Sequence, residues 1–188
     1  MTGARPLAGG LISVVDTDPS WPDLFRREAT RLRAALGDVA LRIDHIGSTA
    51  VPGLAAKPVI DIQVSVASFE PLGAFRLPLE GLGYVFRADN PERTKRYFRE
   101  APGARRTHIH IRLRGHWSEQ FALLFRDFLR AHPDASARYA ALKRELARRY
   151  EHDGQAYTEA KTPFIWAVMR DADAWAQLTG WAAGESDA

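Results

Sequence analysis

The chain has 188 residues, a formal net charge of +3, 46% hydrophobic and 26% charged residues, and no cysteine. A chain of this size and ordinary composition can bury its own core as one domain or as a core plus a helical subdomain, and without cysteine it excludes disulfide frameworks, thiolate zinc sites and thiol nucleophiles. No stretch approaches the roughly 20 apolar residues of a membrane span and no cationic, then apolar, leader opens the chain, so no membrane partner is expected and a cytoplasmic setting is.

Residues 1–10 are rich in Gly and Ala and are expected to fray. Leu11 to Val15 fits a short edge strand. Asp18-Pro19-Ser20-Trp21-Pro22 predicts a helix start, with Asp18 or Ser20 as cap and proline in the first turn. Trp21, Phe25, Leu32 and Leu36 share one face of that helix, and Gly37 stops it. Leu41 to Ile46 reads as a strand, and Val59 to Val66 as a clearer one. There Ile60, Ile62, Val64 and Val66 point one way, while Val59, Asp61, Gln63 and Ser65 point the other. Residues 69–80 predict a short helix or irregular connection, followed by a strand at Tyr84 to Arg87 and a turn at Asp89-Asn90-Pro91.

Lys95 to Glu100 and Arg106 to Arg114 predict a hairpin around Pro102-Gly103. The second of these strands alternates like the Val59 strand. Thr107, Ile109, Ile111 and Leu113 face one way; Arg106, His108, His110, Arg112 and Arg114 face the other. If the two strands share a sheet, their chemically loaded faces form one polar floor. The rest predicts helices. Trp117, Phe121, Leu124, Phe125 and Phe128 make one apolar stripe, Tyr139, Leu142, Leu146 and Tyr150 a second, and Thr162-Pro163 starts a third helix carrying Phe164, Ile165, Val168, Ala172 and Trp175. Such stripes are expected to face a core. Residues 182–188 are expected to be disordered. The layout is α+β: a mixed-sheet core over residues 11–115 and a helical subdomain over 116–181, packed against it.

Gly47-Ser48-Thr49 follows a strand. A glycine there lets the backbone approach a phosphate, and the Ser48 and Thr49 hydroxyls and amides can donate to its oxygens. The Gly-Lys-Ser/Thr ending of a P-loop and the three spaced glycines of a dinucleotide fold are both absent. Asp61, one loop later on a polar strand face, suits a divalent cation beside a polyphosphate. Lys57, Arg106, Lys143 and Lys161 are candidate phosphate contacts, as is Tyr157 for phosphate or base. His45 reads equally as a residue that orients the turn or as a functional group. Arg126, Asp127 and Arg130 lie at helical spacing and read as a structural ion-pair set. The local excess of arginine from Arg93 to Arg114 reads as a solvated basic surface or as attraction for an anionic substrate. It lacks the dense, aromatic-interleaved stripe of a nucleic-acid interface, so nucleic acid is not an expected partner.

The segment His45-Ile46-Gly47-Ser48-Thr49-Ala50-Val51-Pro52-Gly53-Leu54-Ala55-Ala56-Lys57-Pro58-Val59-Ile60-Asp61-Ile62-Gln63-Val64 resembles the signature of the GrpB family. The resemblance continues through Arg106-Thr107-His108-Ile109-His110 and Phe125 to Pro133, and on to Tyr157 to Phe164. That family belongs to the nucleotidyltransferase-fold superfamily and also occurs fused to some dephospho-CoA kinases. The resemblance implies a small mixed sheet with helices against it. It also implies a Gly-Ser turn at a nucleotide's phosphates and a helical half closing over the nucleotide.

The superfamily pattern places two carboxylates at alternate positions of the next strand and a third on a neighbouring strand, together holding two magnesium ions. Asp61 fills the first position. Gln63 stands at the second, where its amide oxygen can ligate a hard cation but supplies no charge. The third position falls on the strand of His108 and His110, which project to one side and are candidate metal ligands or general bases. The expected cofactor is a divalent metal, Mg²⁺ or Mn²⁺; imidazole suits manganese, zinc or iron better than magnesium, so the preferred ion can differ from the superfamily's. The implied function is transfer of a nucleotidyl or phosphoryl group to a small molecule. The alternatives are a non-catalytic nucleotide- or phosphometabolite-binding module and a different metalloenzyme built on Asp61, His108 and His110. Donor, acceptor and oligomeric state are left open by the sequence.

Overall fold

In the computed structural model, which describes residues 11–188, helix α1 (Trp21–Leu36) leads into strand β1 (Arg42–Ile46) through a single 3₁₀ turn. Proline in the first turn and Asp23 favour the start of α1. Neither expected side-chain cap forms: Asp18 Oδ1 accepts from the Ser20 amide at 2.8 Å instead. Trp21, Phe25, Ala29, Leu32 and Leu36 are buried along one face, each large side chain stabilising the fold by about 1.5–3 kcal/mol.

Strand β2 (Ile60–Val66) is followed by α2 (Gly73–Gly81), β3 (Tyr84–Phe86), β4 (Arg96–Glu100) and β5 (Thr107–Leu113). The five strands form one sheet in the order β1-β2-β5-β4-β3. β2 and β5 are parallel, and every other pair is antiparallel. Helices α1 and α2 cover one face, where Ile43, Ile60, Ile62, Val64, Phe98, Ile109 and Ile111 meet Phe25, Leu32, Phe75 and Leu79.

Four helices follow: α3 (Trp117–Ala131), α4 (Pro133–Arg149), α5 (Gly154–Ala160) and α6 (Thr162–Thr179). A second core forms where Val51, Leu54 and Ala55 meet Leu124, Phe128, Leu129, Tyr139, Val168 and Ala172. No described helix is long and apolar enough to cross a membrane.

Several expectations need correction. Leu11 to Val15 forms no strand, only a bridge in which Val15 and Ala56 exchange both amide bonds at 2.9 Å. Helix α5 was not expected, although Asp153 caps it by accepting from the Gln155 and Ala156 amides. Trp117 belongs to a stripe expected in the core, yet it is 58% exposed. It stacks edge-on with Phe121, which meets Trp166 of α6 in turn.

Residues 182–188, expected to be disordered, lie along the free edge of β1. Ser186 Oγ accepts from the Ile43 amide, Asp187 Oδ2 accepts from the His45 amide, and the Ala188 amide donates to the Ile43 carbonyl. The polar segment thus satisfies an edge strand that would otherwise present unpaired groups. Residues 1–10, expected to fray, lie outside the described residues.

Candidate active site

Parallel pairing of β2 with β5 puts Asp61 opposite His108 and Gln63 opposite His110. Side chains at paired positions stand on the same sheet face. Both imidazoles therefore turn to a single carboxylate oxygen: His108 Nδ1 is 3.2 Å and His110 Nε2 3.1 Å from Asp61 Oδ1. Burial disfavours the Asp61 anion, but the two histidine hydrogen bonds outweigh it and hold the carboxyl well below the usual range. Burial also pushes His110 down to about 4, which keeps the ring neutral. Tyr97, paired with His110 from β4, packs against both rings with centroids 5.5 and 5.2 Å away. The alternation of Tyr97 with buried Phe98 was the signal that could have found it in the sequence.

Gly47 ends β1 with φ +70, and a Cβ built there would stand 2.8 Å from Asp61 Oδ2. The glycine is required by the closeness of the turn to the carboxylate as well as by its left-handed backbone. Ser48–Ala50 form one 3₁₀ turn. The Thr49 hydroxyl donates to the Val59 carbonyl at 3.0 Å and accepts from His45 Nε2 at 3.0 Å. His45 stacks on Phe25, and burial pushes it down to about 4. It is a neutral brace behind the turn, not a group facing the cavity of Asp61.

That cavity, about 350 Å³, is lined by Ser48, Thr49, Lys57, Asp61, Tyr97, His108, His110, Lys143, Tyr157, Thr158 and Lys161, with Ala56 and Val59. Lys57 and Lys161 flank the Tyr157 ring at 5.1 and 4.6 Å. Lys143, from α4, lies over the Tyr139 ring and donates to the Ala55 carbonyl. Burial pushes Lys143 down to about 7, with Lys161 and Arg144 adding to the effect. Burial and Lys57 push Lys161 down to about 8. Among the described residues, none of these three lysines has a carboxylate within ion-pair distance, and Asp61 is the one carboxylate lining the cavity. The cavity therefore carries uncompensated positive charge in a poorly solvated setting, which favours a multiply charged anion.

Gln63 and Arg106 are not brought there. Gln63 is fully buried, with its amide nitrogen 3.4 Å from the Glu119 carbonyl. Arg106 pairs with Glu100 at 2.8 Å and is half exposed. Two other acidic groups on or over this face are turned elsewhere: Asp44 pairs with Arg42 at 2.9 Å, and Glu119 meets Ser65 and the Gly115 amide. The second and third carboxylates of a two-ion clamp therefore do not converge on Asp61, and a two-ion arrangement does not fit these residues. One ion does fit: Asp61, His108 and His110 each offer one ligand atom, all within 4.8 Å of one another.

A larger hollow of about 500 Å³ lies behind the turn, lined by Trp21, Phe25, His45, Val51, Arg130 and Asp187 among others. The ion-pair set read from the sequence stands beside it. Arg126 meets Asp127 at 2.7 Å and Asp187 at 2.8 Å, and Arg130 lies 3.6 Å from Asp127. Its charges are answered within the chain, unlike those of the lysine cavity.

The sheet and its helical cover define a nucleotidyltransferase-like fold. Cid1 poly(U) polymerase with MgGTP bound superposes with a TM-score of 0.53 at 15% identity, over 78% of this chain and 50% of that one. The chain belongs to the GrpB family: the family model described as GrpB protein matches residues 11–171. The crystal structure of GrpB from Enterococcus faecalis matches with a TM-score of 0.78 at 34% identity, over 85% of this chain and 96% of that one. A UPF0157 protein of Pseudomonas aeruginosa is 42% identical over 84% of this chain and 66% of its own length. A dephospho-CoA kinase of Mycolicibacterium paratuberculosis is 39% identical over 94% of this chain and 50% of its own length. The chain thus spans about half the length of that kinase.

Proposed function

We propose that this GrpB protein is a metal-dependent nucleotidyl- or phosphoryl-transferase acting on a small molecule in the cytoplasm. The observation that carries the reading is the meeting, in one cavity, of three carboxylate-free lysines with the Asp61–His108–His110 cluster. Lys57, Lys143 and Lys161 would neutralise a polyphosphate, and the Ser48 hydroxyl at the Gly47 turn would donate to its oxygens. The buried Tyr157 ring lies under both Lys57 and Lys161 and backs the two ammonium groups. Asp61, His108 and His110 would hold a single divalent ion, which would supply charge neutralisation at the phosphoryl oxygens. Catalysis on this reading is positioning and charge neutralisation. Dephospho-CoA kinase activity is not part of the proposal: the chain carries no P-loop lysine motif and spans only half of the kinases it resembles.

The test incubates the protein with each nucleoside triphosphate and Mg²⁺ or Mn²⁺, following binding, pyrophosphate release for nucleotidyl transfer and nucleoside diphosphate release for phosphoryl transfer. Binding and turnover that vanish in Asp61→Ala are the expected result. A second reading, a nucleotide-binding module without chemistry, draws on the single carboxylate of the cavity. Binding that persists in Asp61→Ala with no turnover for any donor would favour it.

A further inference from the structure

Gln63 stands where the superfamily pattern has a carboxylate, and its surroundings give a physical reason for the amide. The Gln63 Nε2 donates to the Glu119 backbone carbonyl, 3.4 Å away. A carboxylate there would set an oxygen against that carbonyl, beside the fully buried Glu119 side chain. The amide nitrogen is thus engaged on the helix side, while Gln63 Oε1 is buried with no hydrogen-bond partner.

The residue paired with Gln63 across the parallel strands, on the same sheet face, is His110. Its Nδ1 is also buried without a partner. Two orphaned polar atoms on adjoining side chains, in a fold that satisfies most buried polar groups, call for an explanation. The Asp61 carboxylate can only accept, so His110 Nε2 carries the ring proton in the arrangement seen. Nδ1 is then a bare acceptor, and so is Gln63 Oε1 on the side chain paired with it on the same sheet face. Neither can satisfy the other. The position of the ring proton changes that. With Nε2 given over to a cation, the neutral ring holds its one proton on Nδ1, and Nδ1–H becomes a donor for Gln63 Oε1.

We infer that Gln63 is a positioning residue: its Oε1 accepts from His110 Nδ1–H once Nε2 is a metal ligand, which fixes the ring and its tautomer. The inference rests on the single-ion reading above. Both states keep one proton on the ring, so no net charge moves within it; the Nε2 proton leaves to solvent and Nδ1 regains one. A buried acceptor waiting behind a ligating histidine does for this site what carboxylates and carbonyls do behind metal-bound imidazoles generally.

The experiment titrates wild type and Gln63→Leu with Mn²⁺ and Zn²⁺ by calorimetry, and records ¹⁵N spectra of the histidine rings with and without Zn²⁺. Gln63→Leu keeps the side-chain bulk and removes the acceptor. The expected results are affinity weaker by about 10- to 100-fold in the variant, and a wild-type His110 that passes from the Nε2–H to the Nδ1–H tautomer on loading. Equal affinities in the two proteins, or a His110 Nδ1 proton in the Zn²⁺ form that exchanges with solvent as freely as one without an acceptor, would overturn the inference and leave the metal reading standing. Failure of wild type to bind either ion would overturn both. The solvent exchange of that Nδ1 proton is read in wild type alone, so it decides the matter even if the variant does not fold.

Discussion

Gly47 sits where any side chain would strike the carboxylate that anchors the cavity. Gly47→Ala must relieve a 2.8 Å approach to Asp61 Oδ2 and place a Cβ at φ +70. A side chain on this positive-φ, extended-ψ backbone alone costs about 1–3 kcal/mol, and moving Asp61 would separate it from both histidines. Denaturant unfolding should show that loss of stability, and calorimetry should show metal affinity falling further than stability does.

The lysines carry a different prediction. Lys143 and Lys161 have folded values near 7 and 8 against an ordinary 10.5. Between these values the unfolded chain binds more protons than the folded one, so this contribution makes stability rise with pH from about 7 towards 10. Anion binding runs the opposite way, because a bound polyphosphate needs the protonated amines. Affinity for tripolyphosphate, measured by calorimetry, should fall about tenfold or more between pH 6 and pH 9. Lys143→Met should weaken binding at the low end and flatten the profile.

At the scale of elements, the cluster is a product of register. The two-sided alternation of β2 and β5 is legible because side-chain direction has a period of two. Their pairing is a contact between segments 47 residues apart, and no local pattern specifies which residue faces which. For the same reason the sequence names Gln63 as a candidate ligand: it lies on the right strand face, but whether it lines the cavity depends on α3 above it. Lys143 is legible only as a lysine beside an aromatic stripe, because the helical turn that buries it is a tertiary matter.

The segment after α6 was misread for a related reason. Its small and acidic residues form no periodic pattern, yet they pair with an edge strand and with Arg126, whose side chain is 4% exposed. Asp187→Ala leaves that guanidinium with Asp127 and the His45 carbonyl. A loss of about 1–3 kcal/mol is expected in chemical denaturation, with affinity for tripolyphosphate unchanged because Asp187 does not line the lysine cavity.

On the whole molecule, the sheet supplies the acid and the imidazoles, and the helical half supplies two of the lysines and Tyr157. Charge of opposite sign thus approaches one cavity from two layers. Closing them over a polyphosphate and a cation would couple the layers and stabilise the fold by mass action. The most direct test of that arrangement is calorimetric titration of a nucleoside triphosphate in the presence and absence of Mn²⁺, on wild type and Asp61→Ala, with pyrophosphate followed in the same samples. The account predicts binding that Mn²⁺ tightens in wild type, and that loses its Mn²⁺ dependence and any pyrophosphate release in Asp61→Ala. Triphosphate binding that is indifferent to Mn²⁺ and to Asp61, or no binding at all, would contradict it.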